Sequence, residues 1–368
     1  MRILYVTTVG LTMGFFKSFI SDLLAQGHTV DIACNESEYM VDDYYKNMRC
    51  RVYPLSCSRS PLKADNLRTV REIRKLVCAN RYDIVHCHTP VAAACTRIAC
   101  RKARKAGTKV IYTAHGFHFY KGAPLKNWLI YYPVEKLCAR MTDTLITINK
   151  EDYALAQEKL HAKRVAYVPG VGIDVSAFAN TTVDRTAKRA EIGVPADAFL
   201  LLSVGELNEN KNHETVIRAV AAAKDKSLHY AIAGRGMRHD ALVSLADSLG
   251  IEEQVHLLSY RGDIPELYKT ADAFVHPSFR EGLPVSVTEA MASGLPVVAS
   301  RIRGNTDLVR TEHPLLCDPH STPDFVTAIR LLADSPSVRA EIGRLNAENA
   351  LPYDTANINR LLLEIYLH

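Results

Sequence analysis

The chain has 368 residues, 48% hydrophobic and 23% charged, the balance of a globular protein long enough for two domains. Its apolar runs, such as Phe199-Leu200-Leu201-Leu202, fall far short of the ~20 residues a membrane-spanning helix needs. Met1–Val6 reads as a first buried strand and not as a signal peptide, so a cytoplasmic location is expected. The nine cysteines stand singly, with no C-x-x-C pair, which favours reduced buried thiols and argues against zinc even at His86-Cys87-His88. The net charge of +5 is uneven: residues 1–180 hold 26 Lys/Arg against 15 Asp/Glu, the remainder 19 against 25. Arg97, Arg101, Lys102, Arg104 and Lys105 cluster, and Lys121 and Lys126 follow. A solvated helix face would use the same residues, but a basic half facing an anionic membrane surface accounts for the asymmetry, and no nucleic-acid motif is present.

Short apolar runs alternate with amphipathic segments, the pattern of parallel α/β folds. In the first half Ile3–Thr7, Thr29–Ala33, Ile84–His86, Lys109–Thr113, Thr144–Ile148 and Ala166–Val168 read as strands. Phe16–Gln26, Leu67–Ala79, Val91–Ala106 and Leu125–Met141 read as helices between them. Pro169–Arg189 reads as a connection. A second alternation follows, with strands at Leu200–Val204, Tyr230–Ala233, Val255–Leu258, Ala273–His276 and Val297–Ala299. Its helices are His213–Ala223, Arg238–Leu249, Ile264–Thr270 and Pro284–Ser293, and three more close the chain at Pro323–Ala333, Ser337–Asn349 and Pro352–Tyr366. The expectation is two doubly wound parallel sheets in tandem, with ligands at the carboxyl ends of the strands.

The most informative stretch is Glu281-Gly282-Leu283-Pro284-Val285-Ser286-Val287-Thr288-Glu289, between a strand ending at His276 and a helix closed by Gly294. Amides around Gly282, Leu283, Pro284 and Val285 at a helix start suit a pyrophosphate or sugar hydroxyls. Glu281 and Glu289, a loop and a helix carboxylate, can each accept bonds from vicinal hydroxyls. A second polar loop, Gly205-Glu206-Leu207-Asn208-Glu209-Asn210-Lys211, follows a strand. Gly234-Arg235-Gly236 is a strand-end turn, and Ser259-Tyr260-Arg261 a further loop. In the first half His115 emerges at a strand's carboxyl end, and Gly10–Gly14 forms a glycine turn without G-x-G-x-x-G spacing, which argues against a dinucleotide fingerprint.

Together these motifs resemble the GT4 family of retaining glycosyltransferases over nearly the whole chain, and a subgroup acting in capsular or exopolysaccharide assembly. The resemblance implies a GT-B fold, two Rossmann-like domains facing a central cleft. It implies an acceptor-binding domain at residues 1–180, a donor-binding domain at 181–350 and a C-terminal helix at 351–368 crossing back to the first. Implied roles are Glu289 on the donor ribose, Glu281 on the transferred sugar, Lys211 on the diphosphate, and Gly205, Glu206 and Gly234 beside the nucleotide. Tyr260 and Arg261 would flank the base, Gly10 and Gly14 would approach the substrates, and His115 would meet a donor-sugar hydroxyl. Glu206 stands where the family has Arg, leaving Lys211 to be helped by Arg280 or Arg235.

The implied reaction is hexosyl or N-acetylhexosaminyl transfer from a nucleotide sugar, UDP-linked by family frequency, to a polyprenyl-diphosphate-linked saccharide. No Asp-x-Asp stands at a strand end, so metal independence is expected, with no cofactor. A UDP-sugar 2-epimerase on the same architecture, or a non-catalytic sugar-nucleotide-binding subunit, are the alternatives.

Overall fold

The computed structural model describes residues 1–61, 63–310 and 312–368. The chain divides into two compact units, Met1–Val171 with Thr355–His368, and Gly172–Asp354. The first holds seven parallel strands: β1 (Arg2–Val9), β2 (Thr29–Asn35), β3 (Arg51–Pro54), β4 (Ile84–His88), β5 (Lys109–Ala114), β6 (Thr144–Thr147) and β7 (Arg164–Tyr167), in the order β3-β2-β1-β4-β5-β6-β7. The second holds β8 (Phe199–Val204), β9 (Leu228–Ala233), β10 (Val255–Leu257), β11 (Ala273–His276), β12 (Val297–Ser300) and β13 (Leu316–Cys317), in the order β10-β9-β8-β11-β12-β13. Both sheets are Rossmann-like, with helices on both faces.

Pleating explains the near-continuous apolar runs. In β1, Leu4 and Val6 enter one core of the first unit, while Ile3 and Tyr5 enter the core on the other face. In β8, Leu200 and Leu202 face one core and Leu201 the opposite one. Strand order reverses between β1 and β4, and again between β8 and β11. In such sheets the crevice for ligands opens beyond the carboxyl ends of those strands. Gly10, Thr89, Gly205 and the loop after His276 stand there.

Several elements differ from the sequence reading. The edge strands β3 and β13 were not expected, because R-V-Y-P and a two-residue run carry too little periodicity. The helix expected over Val91–Ala106 is two, Pro90–Ala99 and Arg101–Lys105, joined at Cys100. Residues 169–189, read as a connection, hold helices at Val175–Asn180 and Arg185–Glu191. Asp174 and Asp184 cap them by accepting from Ala177 N at 2.9 Å and Ala187 N at 3.0 Å. The last helix, Thr355–Leu367, belongs to the first unit. There Asn359 Nδ2 donates to Asp22 Oδ2 at 2.6 Å, and the Tyr366 hydroxyl to the Tyr5 hydroxyl at 2.9 Å.

One buried ion pair fixes the helix Leu125–Ala139. Arg97, fully buried in Pro90–Ala99, donates through Nη1 to Glu135 Oε2 at 2.8 Å and through Nη2 to Oε1 at 3.1 Å, and its guanidinium lies 4.2 Å from the Tyr112 ring centroid. Removing one partner strands a charge in the core, whereas replacing both by apolar groups leaves none. Glu135→Ala is therefore expected to destabilise the protein by about 3–5 kcal/mol in urea denaturation, and Arg97→Met with Glu135→Leu to recover most of it.

Candidate functional site

The second unit's site begins with two glycines. A Cβ on Gly234 would lie 1.8 Å from the Gly205 carbonyl oxygen, so the turn after β9 can sit against the end of β8 only without a side chain. Gly234 N donates to Ser259 O at 2.8 Å, and Gly205 N to Ala233 O at 3.0 Å, which carries the ladder past both strand ends. The Lys211 stem then crosses the bare Gly205, where a Cβ would meet Lys211 Cε at 3.3 Å. Asn208 caps the single turn Glu209–Lys211 by accepting from Lys211 N at 3.0 Å. Asn210 joins this loop to the next one: its carbonyl accepts from Phe279 N at 2.8 Å, and its Nδ2 donates to Arg280 O at 2.9 Å.

So placed, Lys211 Nζ donates to Glu281 Oε1 at 2.8 Å. His276 Nε2 stands 3.2 Å from the same oxygen, with Ser278 Oγ 3.2 Å from that nitrogen. Burial opposes ionisation of Glu281, but the His276 and Lys211 contacts outweigh it and hold the carboxyl well below the usual range. Burial holds His276 below its ordinary value. The arrangement is an ionised carboxylate between an ammonium and a neutral imidazole donor.

Gly282 lies under Gly304, where a Cβ would come 2.3 Å from the Gly282 carbonyl oxygen, and Arg303 Nε donates to Glu281 O at 3.1 Å. Leu283 is half-buried and Pro284 buried; Pro284 precedes the helix Val285–Ala292, which no side chain caps. Its first-turn amides are left for a ligand or water. Glu289 is one turn in, and its Oε2 accepts from the Tyr268 hydroxyl at 3.0 Å; burial raises its pKa against that bond. The Glu206 side chain is exposed and accepts from Asn208 Nδ2 at 2.9 Å. Arg235 donates to Ser259 Oγ at 2.9 Å and lies over the ring of Tyr260, which is 72% exposed. Arg261 is bound to Asp263 and Glu191, so its side chain serves an ion network with Lys188.

In the first unit Gly10 opens a 3-10 turn, Gly10–Phe16. A Cβ there would lie 2.4 Å from Tyr39 O, whereas Gly14 faces open space, so packing requires only the first of the two glycines. His115 is half-buried, with Nε2 3.1 Å from His88 Nδ1. His88 packs on Phe16 at 4.2 Å, and its Nε2 has no partner among the described residues. His86 Nδ1 lies 2.6 Å from the Tyr366 hydroxyl and Nε2 2.8 Å from Thr113 Oγ1. Cys87 points to the other face, into the opposite core, so the His-Cys-His run is divided by the pleat. A cavity of about 20 Å³, room for one water, is lined by Tyr5, Phe16, His86, His88, Thr113 and His115.

Sequence reasoning passed over four contributors. His276 was read only as a strand end, although His-Pro-Ser beside Glu281 was a usable signal. Arg303 precedes a glycine that could have marked a close approach. Tyr268 gave no signal, and neither did Thr89, which holds φ 64° at the end of β4 with its hydroxyl 2.6 Å from that of Thr8.

Residues 184–348 match the family described as glycosyl transferases group 1, and residues 2–149 the family described as glycosyl transferase 4-like. The chain is 38% identical over 319 residues to EpsD of Bacillus subtilis (strain 168), a protein named as a glycosyltransferase, covering 85% of this chain and 84% of that one. It is 29% identical over 314 residues, 83% of this chain and 80% of the other, to the Escherichia coli UDP-Gal:alpha-D-GlcNAc-diphosphoundecaprenol alpha-1,3-galactosyltransferase. Among solved structures, Anabaena HepE in complex with UDP superposes with a TM-score of 0.78 at 21% identity, covering 99% of each chain. That likeness establishes a shared fold, as does sucrose-phosphate synthase from Thermosynechococcus elongatus at a TM-score of 0.80 and 18% identity, covering 100% of this chain and 98% of that one.

The desolvated histidines give the site a pH signature. Burial pushes His115 down to about 4 and His86 to about 3, so both are neutral in the folded protein at pH 7. Unfolded histidine titrates near ~6.5, so below that pH the unfolded chain binds more protons than the folded one. Stability is therefore expected to fall as pH drops from about 6.5 toward about 4, and the part of that fall above about 5 lies clear of ordinary carboxylate titration. In acid titrations followed by circular dichroism, His115→Gln should show a shallower slope across that window.

Proposed function

The chain belongs to the glycosyltransferase family of the group 1 and 4-like kind, and on that premise we propose that it transfers a hexosyl or N-acetylhexosaminyl group from a UDP-sugar to a polyprenyl-diphosphate-linked saccharide, with retention and without a metal ion. The observation that carries this reading is the Lys211–Glu281 contact at 2.8 Å, set between the strand-end Gly205 and an uncapped helix start. Donor cleavage builds negative charge on the leaving diphosphate and positive charge at the anomeric carbon. Lys211 and the first-turn amides from Val285 onward stabilise the former, and the Glu281 carboxylate lies against the sugar that bears the latter. Gly205 and Gly234 let the nucleotide approach the backbone, and Gly282, Leu283 and Pro284 shape the loop above it. Glu289 takes the ribose hydroxyls in place of its Tyr268 bond. The backbone at Tyr260 and Arg261 takes the base. Glu206, turned to Asn208, leaves Lys211 to Glu281.

In the first unit, His115 offers a neutral nitrogen to a donor hydroxyl, and the turn from Gly10 to Gly14 flanks the substrates. Among the described residues no group of three or more His, Cys, Asp or Glu is arranged to hold a metal ion. The lipid-linked acceptor and UDP donor draw support from the named activity of the Escherichia coli relative. A polysaccharide role draws on EpsD. Peripheral attachment to the inner face of the membrane draws on the basic first half; no helix among the described residues is long and apolar enough to span a bilayer.

The test is product analysis by mass spectrometry with a panel of nucleotide sugars and a short-chain polyprenyl-diphosphate N-acetylglucosamine. An acceptor-linked saccharide of retained anomeric configuration is expected, at a rate indifferent to EDTA. Epimerised or untouched donor as the sole outcome would overturn the reading. Lys211→Ala is expected to lower kcat by about 10²–10³-fold. Glu289→Ala should chiefly weaken UDP binding in calorimetry, whereas Glu281→Ala should chiefly slow transfer.

A further inference from the structure

The helix Leu125–Ala139 has an outer face that water does not suit. Leu125 is 73% exposed, Leu129 69%, Ile130 49%, Val134 46% and Leu137 58%. At ~100° per residue these five and Pro133 fall within one half of the helix circumference. The charged residues in that arc are all cations: Lys126 in the first turn and Arg140 just past the last, both exposed, and the half-buried Lys136 near its edge. The opposite face carries Trp128, Tyr132, Cys138, Ala139 and the buried Glu135, packed on the unit. A surface helix ordinarily alternates an apolar face with a polar one; this one is apolar on both.

What lies around the face selects its occupant. Arg104 Nη1 donates to Arg140 O at 3.2 Å, which sets the basic helix Arg101–Lys105, with Arg101, Lys102 and Lys105 exposed, against the far end of the apolar one. Lys121 is exposed just before the near end. Cations thus stand at both ends of an aliphatic strip, the complement of an anionic lipid leaflet, and a second copy of the chain would bring like charges together. Fifteen residues span about 22 Å, short of the ~30 Å of a bilayer core. Pro133 has no N–H to give to the Leu129 carbonyl, which suits the hydrated headgroup boundary and not the hydrocarbon.

We propose that Leu125–Ala139 is the element by which the protein lies on an anionic membrane, in the plane of the interface, with its five aliphatic side chains inserted and Lys126, Arg140 and the Arg101–Lys105 helix on the lipid phosphates. This rests on the reading of a lipid-linked acceptor, and it names the surface that would bring the enzyme to it.

Trp128, the single tryptophan of the chain, stands on the packed side of this helix, so a variant with Trp128→Phe and Leu129→Trp puts the one indole on the outward face. With mixed phosphatidylglycerol and phosphatidylcholine vesicles carrying brominated acyl chains, quenching of its fluorescence and salt-sensitive binding are expected. Leu129→Glu and Leu137→Glu should each lower vesicle partitioning by about tenfold with the melting temperature unchanged, since both side chains point outward. Lys126→Gln with Arg140→Gln should remove part of the salt-sensitive portion. Vesicle binding that survives Leu129→Glu and Leu137→Glu combined, bound protein without quenching, or a dimer in solution that Leu129→Glu disperses would each overturn the proposal. Binding is read without substrate, so its outcome is separate from the transfer assay. Leu129→Glu should still act on a water-soluble, short-chain acceptor at the wild-type rate. Wild-type protein that binds vesicles but transfers nothing would sink the functional reading alone.

Discussion

The geometry of the donor-side site depends on how closely two strand ends approach. With Gly234 against the Gly205 carbonyl, β8 and β9 finish side by side, and the loop leaving β8 has room to fold back over its own end. Lys211 is the side chain that uses that room. Its stem rests on Gly205 and its ammonium meets Glu281, which joins the loop after β8 to the loop after β11, the two strands flanking the reversal of strand order. A partly buried ion pair of this kind contributes little net stability, because desolvation offsets the Coulomb attraction. Its value is positional. Each charge holds the other where the loops after β8 and β11 meet.

The first unit applies the same topology to a different chemistry. Its order reverses between β1 and β4, and the residues at those ends are the glycine turn and the strained Thr89. Behind them the pleat places His86 and His88 on one face with Tyr5, and β5 delivers His115 alongside. Burial keeps these rings neutral, so they can donate or accept hydrogen bonds but carry no charge at neutral pH. The C-terminal helix closes this layer through Tyr366, whose hydroxyl bridges Tyr5 and His86. A neutral polar cluster of this kind can orient a hydroxyl without competing for a charged group, which is the part the proposed reaction gives it.

Much of this was legible because the chemistry is local in sequence. Strand ends, glycine turns and the E-G-L-P loop follow one another within a few residues, and runs such as Phe199–Val204 are too apolar to be anything but buried. What was missed depends on partners far along the chain. Arg303 meets the Glu281 carbonyl only because Gly304 lets two loops touch, and Tyr268 reaches Glu289 from a different helix. The Arg97–Glu135 pair could not be read at all, since both residues look like solvated helix charges until the two helices are packed together. The same packing explains why the aliphatic half of Leu125–Ala139 went unnoticed: periodicity gives a helix, but with both halves apolar it does not say which half is covered.

On the proposed reading, Glu206 raises the question of how one lysine would answer a diphosphate where the family resemblance implies two cations. The side chain does not oppose Lys211, because it turns out to Asn208 and stays in water. Arg235, a candidate on sequence grounds, is engaged with Ser259 and Tyr260, and the Arg280 side chain is exposed on the outer part of its loop. Arg303 is the cation the fold delivers instead, buried under the loop and bonded through Nε to Glu281 O. It lies on the loop after β12 and packs against the loop that carries Glu281, so its charge is felt there through a medium of low dielectric. A helix start, one ammonium and a guanidinium behind the backbone thus make up a positive field in which an exposed carboxylate at Glu206, screened by water, weighs little.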